Sequence, residues 1–208
     1  LVGALDIQSD AAEAANAIRT FISLPTWNRG STWDEAFRNM TRLAEERGFL
    51  IMTSGIVGSN THRRLKPDEF RGFCLVDDFA PLIFINGADT KAANIFTLAH
   101  ELAHLTIGEA GVDAAQPEAL TQETMIERWC NEVASELLVP LDALTKAYRQ
   151  QSSLAEELER LARDFKVSTL VVLNQLWSGR LLDMTWEEYR HEWGVERHRV
   201  QELLDSNT

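Results

Sequence analysis

Ile95-Phe96-Thr97-Leu98-Ala99-His100-Glu101-Leu102-Ala103-His104-Leu105 sets two histidines four residues apart in a run that is otherwise apolar or small, apart from Thr97 and Glu101. On a helix that spacing brings both imidazoles to one face, one turn apart, as two corners of a tetrahedral zinc site require. The apolar flanks predict a buried helix, and buried histidines need partners. Glu101 follows the first histidine and can reach a metal-activated water as general base. The plainer alternative is a pair of hydrogen-bonded core histidines on a packing helix.

A structural zinc site takes four protein ligands, and the chain has only two cysteines, Cys74 and Cys130, with no Cys-x-x-Cys. An open, catalytic site is therefore expected, with a third ligand from elsewhere. Candidates lie between Glu123 and Glu136. At 100° per residue, Ile126, Trp129, Cys130, Val133, Ala134 and Leu137 form one apolar face. Glu127 falls at the edge of that face, Glu132 points to the solvated side, and Glu123, one turn before Glu127, stays a candidate. Asn131-Glu132-Val133-Ala134-Ser135-Glu136 superficially matches the third-ligand motif of thermolysin-like peptidases, but its last position is Glu instead of Asp and its face is wrong.

Outward from the motif, two helices are expected first, Asp10 to Ile22 and Thr32 to Arg47, the second with a capped start. Strands follow at Phe49 to Val57, Phe70 to Val76 and Pro81 to Asn86. The apolar Leu82-Ile83-Phe84-Ile85 suggests a strand buried on both faces; at a sheet edge it could pair an extended substrate. From Thr90 the pattern turns helical: Thr90 to Ile107, about Pro117 to Val139, Leu141 to Gln150, Leu154 to Phe165, Ser168 to Trp177, and another from Thr185. This order gives an α+β chain, with a small N-terminal β-sheet packed on a mainly helical part and a C-terminal helical hairpin. Residues 1–150 are expected to form the metallopeptidase domain and 151–208 a helical extension.

The 208 residues carry a formal net charge of −12, which repels phosphate backbones and anionic lipid. The run His62-Arg63-Arg64-Leu65-Lys66 reads as a solvated loop. Two distant cysteines fit a reducing compartment, and no apolar run approaches a membrane span, so the cytoplasm is expected. The chain starts at Leu1 with no signal peptide and reads as a fragment of a longer protein.

Asn86-Gly87-Ala88, the His100–His104 motif, Ile126-Glu127-Arg128-Trp129-Cys130-Asn131-Glu132-Val133-Ala134 and Leu137-Leu138-Val139-Pro140 together resemble the ImmA/IrrE family of metallopeptidases, over roughly residues 32 to 177. The resemblance implies a gluzincin-like fold in which His100, His104 and Glu127 hold zinc and Glu101 is catalytic; by ligand chemistry alone, manganese or another divalent ion could stand in for zinc. It implies a protein substrate, a repressor or regulator in stress responses, and DNA binding through a helix-turn-helix domain upstream. The rival functions are a catalytically silent binding module and a DNA-associated transcription regulator.

Leu154 to Leu181 looks like a helix-turn-helix unit, yet its second helix opens with Thr169-Leu170-Val171-Val172 where a DNA reader shows polar side chains. A structural hairpin is expected. Cys130 reads as a small buried hydrophobe, and His62, His191 and His198 as surface histidines.

Overall fold

The computed structural model describes residues 1–27, 29–58, 60–108, 122–150 and 153–205. Among them the chain forms eight helices and five short strands. Asp10 caps α1 (Ala11–Ile22) by accepting from the Ala12 and Glu13 amides, and Thr32 caps α2 (Trp33–Glu45) through the Glu35 amide. Next come β1 (Leu50–Ser54), β2 (Ile56–Val57), β3 (Asn60–Arg64), β4 (Gly72–Leu75) and β5 (Leu82–Asn86). The helices α3 (Lys91–Ile107), α4 (Gln122–Leu138), α5 (Leu141–Ala147), α6 (Leu154–Phe165), α7 (Thr169–Ser178) and α8 (Trp186–Asp205) complete it. The expected start of α4 near Pro117 lies outside the described residues.

The expected strand from Phe49 to Val57 is broken. At Gly55 the chain passes so close to the next loop that a Cβ would stand 3.2 Å from the Ala88 nitrogen. β1 ends there, and β2 turns off to pair antiparallel with β3. The run around His62 is thus a strand, though fully exposed, and its charged side chains had masked the hairpin.

The main sheet has the order β1-β5-β4, with β1 parallel and β4 antiparallel to β5. β5 is central, so it offers no free edge to a substrate; β4 does. Nor is β5 sealed on both faces. Ile83 and Ile85 are buried toward the helices. Leu82 and Phe84 point outward in register with Leu50 and Met52 of β1, and with Leu75 and Phe73 of β4. Among the described residues the buried row faces the helices, while on the outer row Phe73 stacks on Phe84 at 5.2 Å between centroids.

α3 lies beneath the sheet and also packs against α1, α2 and α4. From Ile95 to Thr106 every side chain but Phe96 is buried, as expected of a helix that is apolar all round. The C-terminus of α4 is held by cations from far along the chain. Arg19 donates to the carbonyls of Glu136 and Leu137, and Arg29, 4% exposed, donates to those of Leu138 and Phe165. These are carbonyls that a helix end leaves without internal partners. Burial, and then the neighbouring Arg19, bring the Arg29 guanidinium down to about 10. α7 joins the same junction, Gln175 donating to the Glu136 carboxylate and to the Val139 carbonyl. Its Val171, Val172, Leu173 and Leu176 are buried in the common core. No helix among the described residues is long and apolar enough to cross a membrane.

Candidate metal centre

α3 is set in place by its caps. Thr90 accepts from the Ala93 amide, and Gly108, in the left-handed region at φ 72°, closes the other end. Before it, Asn86 organises the entry, its amide donating to the Phe70 carbonyl while its oxygen accepts from Ala88. These bonds explain why Asn86-Gly87-Ala88 belongs with the histidine motif.

His100 and His104 both project toward α4. Their Nε2 atoms stand 3.0 Å apart, and each lies 3.1 Å from one oxygen of Glu127. The histidines are 1% exposed and the Glu127 side chain 21%, so solvent reaches the cluster at Glu127. Burial works to raise the Glu127 carboxyl, but hydrogen bonding to the two histidines and their charge overcome it and hold it at about 2.

The donor set fits a divalent cation. With bonds of ~2.0–2.1 Å at tetrahedral angles, ligand atoms stand about 3.3 Å apart, close to the spacing here. With both rings carrying their hydrogen on Nδ1, the two Nε2 lone pairs and the Glu127 carboxylate oxygens face a common point. His100, His104 and Glu127 therefore form a group that could hold a metal ion.

The other candidates lie elsewhere. Glu132 is on the surface, paired with Arg128 at 3.0 Å. Glu136 serves the junction with α5 and α7, and the side chain of Glu123 lies outside the described residues. His62, His191 and His198 are exposed. Cys130 is fully buried, and burial, then the charges of Glu127 and Glu101, push its thiol up, leaving a weak nucleophile.

Glu101 sits beside His100 and is fully buried. It is overlain by Gly72 at the start of β4, where a Cβ would stand 3.3 Å from Glu101 Oε1 and 2.5 Å from Thr97 Cγ2. Sequence reading passed over Gly72, although a glycine inside a strand pattern is a signal of close backbone approach.

A family model for the IrrE N-terminal-like domain, a peptidase family, matches residues 36–176. The chain belongs to that family. The matched stretch of the IrrE-like domain is about two thirds of the chain and runs from α2 into α7, so it takes in the sheet, both helices of the centre and the α6–α7 hairpin. Family and geometry agree on a metallopeptidase-like domain with a place for a divalent metal. No curated protein matches the chain.

Proposed function

We propose that this chain is a zinc-dependent endopeptidase whose substrate is a protein of the repressor or regulator class. The observation that carries the reading is the convergence of His100, His104 and Glu127 within 3.1 Å, with Glu101 buried next to them. His100, His104 and Glu127 would hold the ion. Two imidazoles and one carboxylate suit zinc, and manganese or another divalent ion can use the same set. A bound ion supplies Lewis acidity for hydrolysis of a peptide bond.

The chain's own residues do the rest. Glu101 takes the proton of the attacking water at its carboxylate and passes it to the leaving amine nitrogen. Its buried position beneath β4 keeps bulk water from competing for that proton. β4, the antiparallel edge strand beside Glu101, offers free backbone groups to an extended segment of substrate. We place the activity in the cytoplasm, in stress-responsive control of transcription. Residues 151–208 act as a structural extension, and any contact with DNA is made by another part of the protein.

The burial of His100, Glu101 and His104, each at most 1% exposed, favours a second reading, a silent module that binds a partner without cleaving it. The test is co-expression with the proteins encoded beside it. A single shortened product that disappears with Glu101→Gln supports the peptidase; an intact, co-purifying partner with metal fully bound supports the silent module.

A further inference from the structure

The first ten residues run across both helices that carry the three donors. Gly3 donates its amide to the Leu105 carbonyl at 3.0 Å, and Leu5 donates to that of Thr106 at 2.9 Å. Those carbonyls belong to the last turn of α3, just after His104, and that of Leu105 also accepts from the Gly108 capping amide. The chain lies tight against that turn, since a Cβ on Gly108 would stand 3.3 Å from Gly3 Cα. Leu1, Val2, Leu5 and Ile7 pack on the core. At the far end of the segment the Trp129 indole Nε1 donates to the Ser9 carbonyl at 2.8 Å. Trp129 is 6% exposed and follows Glu127 by two residues on α4. One strap is thus bonded to the end of α3 beside His104 and to α4 beside Glu127.

We infer that Trp129 and the Gly3–Ser9 strap are positioning elements of the metal centre, fixing the separation of His104 from Glu127. The inference rests on the reading of His100, His104 and Glu127 as ligands. Two of those donors come from α3 and the third from α4, so the site is only as well defined as the placement of one helix against the other. Coordination tolerates errors of only about 0.5 Å, so a small shift of α4 against α3 is enough to matter. Groups that orient ligands without touching the ion commonly change metal affinity by 10–100-fold. A strap that merely added core packing would change the melting temperature and leave the affinity of the folded protein alone.

The experiment uses the whole 208-residue chain, stripped of metal. Zinc affinity is measured by competition with a chromophoric chelator, and cobalt serves as a spectroscopic probe of coordination geometry. Trp129→Phe keeps an aromatic ring but removes the N–H together with part of the indole; Leu5→Pro removes the second strap donor. Leu158→Ala, in the core of α6 away from the centre, is the control for stability alone. The expected result is a zinc dissociation constant raised on the order of tenfold in Trp129→Phe and Leu5→Pro, with an altered cobalt spectrum. Leu158→Ala should melt earlier yet bind with wild-type affinity and spectrum. Wild-type affinity and spectrum in both strap variants would overturn the inference while sparing the ligand assignment. So would equal weakening in Leu158→Ala. A wild-type chain that takes up no zinc, or a His104→Ala chain that takes up as much, would overturn the assignment and the inference together.

Discussion

Gly72→Ala adds a single methyl group where the sheet meets α3. Gly72 opens β4 opposite Ile85, with its Cα facing α3. The new Cβ would stand 2.5 Å from Thr97 Cγ2, 2.9 Å from the Phe84 carbonyl oxygen and 3.3 Å from Glu101 Oε1. Carbon atoms pack best at about 3.5–4.0 Å, so the Thr97 contact is short by roughly 1 Å. Thr97 is 2% exposed and Glu101 fully buried, so neither can swing into solvent, and the carbonyl is backbone. The strand must lift from the helix. Overpacking of this kind costs roughly 1–3 kcal/mol. At about 2–4 °C per kcal/mol for a chain of this size, the melting temperature should fall by roughly 2–12 °C, read by circular dichroism. Thr97→Ser in the same chain deletes Cγ2 and should restore part of the loss but not all, because the Phe84 carbonyl stays where it was. Cleavage, measured where both proteins are folded, should fall as well, since β4 moves relative to Glu101. A Gly72→Ala protein that melts with wild type, or one fully rescued by Thr97→Ser, would refute this account of the packing.

Three further outcomes are expected. Elemental analysis of Glu127→Ala should show most of the metal gone, whereas Glu132→Ala, altering only a surface pair with Arg128, should keep it; the reverse would move the third ligand. Glu101→Gln should lower the cleavage rate by ~10²–10⁴-fold or more while metal content stays at wild-type level, and equal rates would remove Glu101 from the mechanism. In a mobility-shift titration at low salt, where phosphate attraction is strongest, the chain should not bind DNA; tight, salt-sensitive binding would contradict the structural role of α6 and α7.

The centre was legible because its information is local. The His100–His104 spacing is one helical turn, and the phase of Glu127 on α4 follows from apolar residues within ten positions of it. The caps at Asp10, Thr32, Thr90, Ser153 and Ser168 are local too, and each side chain accepts from an amide two or three residues on. What periodicity could not supply was anything set by distant chain. The break at Gly55 depends on Ala88, and the crowding at Gly72 on Thr97 and Glu101. Four apolar residues in a row on β5 give no sign that Ile83 and Ile85 are buried while Leu82 and Phe84 are only half-buried. The apolar flanks predict that α3 is buried, but not that β4 crosses directly over Glu101 at a glycine.

The guanidinium of Arg29 bears on how the chain can be dissected. Its two acceptors, Leu138 and Phe165, terminate helices that lie on opposite sides of residue 150. A protein shortened to that point would keep all three donors of the centre and lose α6, leaving a buried cation with one carbonyl fewer. Each hydrogen bond to a charged group contributes roughly 1.5–3 kcal/mol. Glu136 would at the same time lose Gln175. The smallest piece worth expressing therefore runs beyond Glu127, through the end of α7.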